Sequence, residues 1–266
     1  MLDILDIPGT LTGYVFGGLL LVFRLSALLV MVPGFRRKGL PLRFRVTVTV
    51  VLALIMDVAL GGLFVPFPED LFSPILLVFR EFILGTTMGM AIRVLFAALE
   101  GAGAAASYSM ALSLNVFVDP TSGEQTMSMG SLFAVAGALI FMAFDGHHLV
   151  IQTFFAHLKE FPVGEARIYF PSITTIGNAG VELFSTAFLL ASPAIVITLA
   201  INIGLAFVMR VVPSVNIFGI GLSLLIMGGF LVLAFEGDAV IQVVDRAIET
   251  LPEDMVEMSG AIPAGQ

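Results

Sequence analysis

Cysteine and tryptophan are both missing from this sequence. Without cysteine there is no disulfide framework, no thiolate metal site and no cysteine nucleophile. Without tryptophan, one of the usual aromatic markers of a membrane interface is absent, and phenylalanine, at 24 copies, dominates the aromatics. Charge is scarce as well. Only 12% of residues are charged, against roughly 25% in a soluble domain. The net charge of -8 argues against a nucleic-acid partner, which wants basic patches. No GxSxG, HExxH or Walker loop occurs, so nothing in the sequence makes a case for an enzyme or a bound cofactor. The amino terminus carries Asp3 and Asp6 and no basic residue before the first apolar run, which does not read as a secretory signal.

What remains is apolar. The chain of 266 residues is 58% hydrophobic, with a mean hydropathy of +1.06. Runs long enough to cross a bilayer, which takes roughly 20 residues, follow one another at Leu11–Val32, Val46–Phe67, Ile75–Leu99, Gly101–Val118 and Gly130–Phe155. Gly177–Val208 and Ser214–Phe235 complete the series. As one helix, Gly177–Val208 would be roughly 48 Å long, so it must tilt, kink at Pro193 or project beyond the membrane. Arg36, Arg37, Lys38, Arg43 and Arg45 form the one basic cluster. The positive-inside bias places it on the cytoplasmic side. From Glu236 onward an acidic segment begins as an amphipathic helix through Val240, Val244, Ile248 and Leu251, with Pro252 expected to end it.

Gly13 with Gly17, and Gly85 with Gly89, are small residues four apart that permit close helix approach. Ionisable residues within the apolar runs include Arg24, Asp57, Arg80, Glu81, Arg93, Asp145, His147, His148 and Glu182. Such groups usually face a bundle interior or a wet cavity. A proton-coupled small-solute transporter would use them as a relay, whereas a subunit of a large hetero-oligomer would bury them in contacts. Both readings stand at this level. The Asp145–His148 stretch is not expected to bind metal, because adjacent histidines do not share a face as residues at i and i+4 do.

The stretch from Ser107 to Ser131 is the centre of interest. It leaves an apolar run at Asp119–Pro120, crosses a polar loop, and returns through Met127 and Met129. Proline and the residue before it disfavour helix, so two helices meet here at an irregular turn. It reads either as an ordinary hairpin loop or as the lining of a pathway, since irregular backbone at membrane depth is tolerated where protein buries it or a cavity solvates it. Met88, Met90, Met110, Met127, Met129 and Met142 gather around it. Flexible thioethers suit a seal that yields to varied cargo, and they also serve as routine core filler.

Three stretches carry a resemblance to a known family: MALSLNVFVDP (Met110 to Pro120), FDGHHLVIQTFFAHLKEFPVG (Phe144 to Gly164) and INIGLAFVMRVVPSVNIFGIGLSL (Ile201 to Leu224). In this order and spacing they resemble the FliR family, the R subunit of the flagellar and type III secretion export gate. Ser214 and Ser223 depart from the Gln and Pro expected there. The resemblance implies an all-α membrane protein of long bent helical hairpins, a subunit of a helical hetero-oligomeric pore. It implies a P-like part over residues 1–170, with a pore-facing loop near 110–130, then a Q-like hairpin over 171–250. Residues 251–266 form an acidic tail, expected to be mobile. The implied function is that of a core subunit of the flagellar type III export gate. With FliP-like and FliQ-like subunits, and with a FlhB-like switch subunit nearby, it would form a pore for unfolded flagellar proteins in the bacterial inner membrane, within the basal body. By resemblance, Leu114, Asn115, Val116 and Phe117 supply a plug whose turn Asp119 and Pro120 fix. Met110, Met127 and Met129 lie beside the gate, and Arg24, Arg80, Glu81, Arg93 and Glu182 become buried interface charges rather than a relay.

Overall fold

A computed structural model describes residues 7–35, 41–70, 72–112, 129–165, 171–211 and 217–260. The described residues form eight helices: α1 (Ile7–Leu29), α2 (Leu42–Ala59), α3 (Ser73–Ser109), α4 (Met129–Ala143), α5 (Gly146–Glu160), α6 (Ile173–Val211), α7 (Ile217–Phe235) and α8 (Gly237–Met258). Three of them, α1, α3 and α6, are long and apolar enough to cross a membrane, and the count rises to five if the bent pairs α4–α5 and α7–α8 each make one span. Two compact units share the chain. One comprises Met1–Arg93, Asp145–Gly177 and Ile248–Gln266, and the other Val94–Phe144 and Asn178–Ala247.

In the first unit, α2 stops well short of the run expected to reach Phe67. Gly61 and Gly62 both take positive φ, which glycine adopts without a Cβ clash. The Gly62 N–H then reaches the Asp57 carbonyl at 2.9 Å and the Gly61 N–H the Val58 carbonyl at 3.1 Å, a Schellman closure of the helix end. The Asp57 carboxylate adds a cap by accepting the Leu63 N–H at 2.7 Å. The chain beyond is extended and lies along α1. The Val65 N–H bonds to the Gly13 carbonyl at 3.3 Å, and a Cβ at Gly17 would strike the Leu63 carbonyl. Edge-to-face ring pairs, Tyr14 with Phe64 and Phe16 with Phe67, fasten the same seam. The Gly13–Gly17 pair therefore admits an extended strand of chain, not another helix.

The second glycine pair does bring helices together. A Cβ at Gly85 of α3 would collide with the Arg24 carbonyl of α1, and one at Gly89 would press on the Met31 side chain just beyond it. Close approach lets Leu20, Leu21, Leu25 and Leu28 of α1, with Met88 and Ile92 of α3, lose all contact with solvent. On α5 the buried stripe is Val150, Phe154, His157 and Leu158. The end of α8 contributes Leu251, Met255 and Met258. Here the expectation that Pro252 ends the helix fails: α8 continues to Met258 with Pro252 inside it. Proline forfeits one backbone bond, and the buried stripe at Ile248, Leu251, Met255 and Met258 offsets that loss.

In the second unit, α3 runs on through Glu100 and Gly101 where two separate spans were expected. Glycine weakens a helix interior by roughly 1 kcal/mol relative to alanine. Here the small residues make room for neighbours: Gly101 meets Ala187 of α6, Gly103 admits the Met129 backbone of α4, and Ala102 and Ala106 are wholly buried. The expected span Gly130–Phe155 is instead two helices, parted at Asp145, whose φ is +57. On α6, Pro193 cannot donate to the Leu189 carbonyl, and the Ser192 hydroxyl donates to it at 2.8 Å instead. That substitution keeps a helix of 39 residues continuous, roughly 58 Å of it. Only 11% of its apolar window is buried, and Phe184, Phe188, Val196, Leu199, Ile203 and Phe207 stand exposed. A contiguous apolar face of this kind is covered by lipid or by partner helices.

Glycine-to-alanine exchange tests this packing by its sign. At Gly204, where an added Cβ meets nothing, alanine should stabilise the detergent-solubilised chain by about 0.5–1 kcal/mol. At Gly85, where it meets the Arg24 carbonyl, alanine should destabilise by about 1–3 kcal/mol. Unfolding curves of the two variants would shift in opposite directions.

Candidate functional site

Two places bring chemistry-bearing residues together. The first is the foot of the loop between α3 and α4. Helix α3 ends at Ser109 with Ala111 at φ +59, a left-handed conformation that strains an L-residue by roughly 1–2 kcal/mol. The Leu112 N–H bonds to the Ser107 carbonyl at 3.0 Å and the Ala111 N–H to the Tyr108 carbonyl at 3.2 Å, a Schellman closure with alanine where glycine is usual. The Ser107 hydroxyl then accepts the Met129 N–H at 3.2 Å, satisfying one of the unpaired donors at the start of α4. With Gly103 against the Met129 backbone, the two feet of the loop are fastened side by side. Met110 and Met129 are both buried, and Met110 packs on Gly229 of α7. Leu114, Asn115, Val116, Phe117, Asp119, Pro120 and Met127 lie outside the described residues.

The second place is an ion pair in the core of the first unit. Arg24 of α1 and Glu81 of α3 are 0% and 1% exposed, with Arg24 Nε 2.5 Å from Glu81 Oε2. Both also hold the loop that follows α5. Arg24 Nη1 donates to the Phe161 carbonyl at 2.9 Å, and Glu81 Oε1 accepts the Gly164 N–H at 2.9 Å. Gly164 has φ +85 and sits against Val65, so the turn needs glycine twice over. The Phe161-Pro-Val-Gly164 segment, one of the stretches that carried the family resemblance, is thus clasped by a buried pair that no local reading of it would reveal. Two of the five charges expected at subunit interfaces find each other inside the chain. Arg80 and Arg93 are half-buried and Glu182 is exposed.

A buried polar contact also fixes the far end of α8, where His157 Nε2 lies 3.2 Å from the Ser259 hydroxyl and the imidazole packs on the Phe161 ring at 4.9 Å. Asp145, His147 and His148 meet at the start of α5, with one donor atom from each within 4.8 Å of the others. The adjacent histidines, which spacing alone does not bring to one face, are joined by Asp145, which stands at the helix break with a left-handed backbone.

The three long apolar helices and the two bent pairs define an all-α integral membrane protein. Residues 15–251 match the family of bacterial export proteins, family 1. Among similar proteins, the flagellar biosynthetic protein FliR of Pectobacterium carotovorum subsp. carotovorum is 26% identical, over 79% of this chain and 80% of its own. The FliR protein of Bacillus subtilis (strain 168) is 27% identical, over 82% and 85% of the two chains. The Yop proteins translocation protein T of Yersinia pestis is 26% identical over 56% and 58%. The chain belongs to this family of bacterial export proteins and is a type III export gate subunit.

The ion pair makes a measurable demand. Removing one partner leaves a charge stranded in a dry site, which typically costs about 3–5 kcal/mol. Glu81→Gln should therefore lower the stability of the solubilised chain by about that amount. The Arg24→Leu/Glu81→Leu double variant should lose clearly less than the sum of the single losses, as contacting partners do. A Glu81→Gln loss below about 1 kcal/mol would mark the pair as solvated.

Proposed function

We propose that this chain is the R-type core subunit of a flagellar type III export gate, assembling with P-type and Q-type subunits into the inner-membrane pore through which unfolded flagellar proteins leave the cytoplasm. Membership of the export family supports the reading, and the fastened foot of the α3–α4 loop carries it furthest. A segment that plugs a pore needs a rigid base, and the Ser107–Met129 bond with the Gly103–Met129 contact supplies one. On this reading Leu114 to Phe117 form the plug, Asp119 and Pro120 set its turn, and Met110, Met127 and Met129 lie beside it. The work is done by packing and sealing, without a catalytic centre.

The α6–α7 hairpin is the Q-like part of this proposal. Gly228 of α7 admits the Ile201 side chain of α6 with Ile197 close by. Ser192, Pro193, Val196, Ile197 and Ala200 of α6 line an open groove together with Val232 of α7. These contacts run in opposite senses along the two helices, as an antiparallel pair requires. The apolar outer face of α6 is then the surface that neighbouring subunits and lipid cover. Arg80, Arg93 and Glu182 belong to contacts with those neighbours, with a FlhB-like switch subunit close at hand.

Co-expression with P-type and Q-type subunits, followed by native mass spectrometry of the solubilised material, should return one large hetero-complex containing this chain. A stable monomer that ignores both partners overturns the assembly. In the intact complex, Phe117→Ala should make membranes leak ions that the unaltered complex retains, and an unchanged leak in a complex of normal composition overturns the plug.

A further inference from the structure

The cluster at the start of α5 has no part in the proposed pore. Asp145 occupies the N-cap position of α5, where an aspartate ordinarily accepts an N–H from the first turn. It makes no such bond. Its Oδ1 lies instead 3.2 Å from His148 Nδ1. The His147 and His148 rings sit alongside each other, their centroids 4.2 Å apart and their planes tilted by 33°. His147 Nδ1 is shielded from solvent and has no hydrogen-bond partner among the described residues, although buried polar atoms are nearly always satisfied. The three side chains thus offer two imidazoles and one carboxylate, with donor atoms all within 4.8 Å of one another.

We propose that Asp145, His147 and His148 bind a divalent first-row transition metal of the Zn²⁺ type. Two imidazole nitrogens and one carboxylate oxygen are a donor set for zinc and its neighbours, whereas Mg²⁺ and Ca²⁺ prefer oxygen ligands throughout. Donors about 2.0–2.1 Å from a tetrahedral ion stand about 3.4 Å apart, close to the 3.2 Å that already separates Asp145 Oδ1 from His148 Nδ1. The side chains of His148 and Asp145 are 65% and 73% exposed, so an ion enters without opening the fold and completes its shell with water. The positive end of the α5 dipole opposes a cation at this position. The Asp145 carboxylate offsets that field, which makes it as necessary as either imidazole. Bound there, the ion ties the residue at the helix break to the first turn of α5.

The sequence makes the test clean, because the chain has three histidines and no cysteine, and the third, His157, is buried against Ser259. The full chain, carrying a streptavidin-binding tag in place of polyhistidine, is stripped with chelator in detergent and titrated with Co²⁺. The expected result is a visible d–d band that saturates at one equivalent and is abolished by stoichiometric Zn²⁺. His148→Gln and Asp145→Asn should each weaken Co²⁺ binding at least tenfold while the circular dichroism of the helices is unchanged. Both positions are exposed, so the variants leave the core intact. A band that never saturates, no band at all, or a one-equivalent site that survives both substitutions overturns the proposal.

Discussion

A guanidinium and a carboxylate held together out of contact with solvent are the constraint on which the first unit depends. Neither Arg24 nor Glu81 is stable alone in an apolar surrounding, so each must be met by the other and by every remaining polar group within reach. Here those groups are the Phe161 carbonyl and the Gly164 N–H, both from a loop more than seventy residues further along than Glu81. One electrostatic requirement therefore fixes the mutual position of α1, α3 and the turn after α5. The glycine at residue 85 is part of the same arrangement, because it lets the α1 backbone at Arg24 approach α3 closely enough for the pair to form.

The same rule, that backbone and side-chain polar groups must be satisfied where water is excluded, accounts for the ends and irregularities of the helices. Asp57 closes α2 through both its carbonyl and its carboxylate. Ser107 accepts from the start of α4, and Ser192 replaces a donor that proline lacks. In each case a short polar side chain inside an apolar run answers an unpaired backbone group. At these three places a sparse polar side chain stands where the backbone would otherwise be left unsatisfied.

How much of this was legible in the sequence divides along physical lines. The all-α membrane class followed from long apolar runs, and the export family from the resemblance that three stretches carried. Local punctuation was harder. Gly61 and Gly62 signalled a helix end that the apolar residues after them concealed, since an extended segment packed on α1 is as hydrophobic as a helix. Gly101 and Gly103 look like breaks, yet the close neighbours they admit sustain the helix through them. Pro252 looked like a stop for the same reason and yielded to the buried stripe on either side of it. Asp145, His147 and His148 were judged by the spacing of the two adjacent histidines, which takes no account of the carboxylate that the helix break sets beside them. The Arg24–Glu81 pair needed tertiary knowledge outright, because no periodicity links residues 57 positions apart.

The hydroxyl that stands in for a backbone donor at Ser192 has a mechanical consequence. A peptide N–H is held rigidly in the helix wall, whereas a serine hydroxyl turns about its own bonds and is released by a single rotamer change. The longest of the described helices therefore has, near its middle, one rung held by a rotatable hydroxyl in place of a backbone N–H.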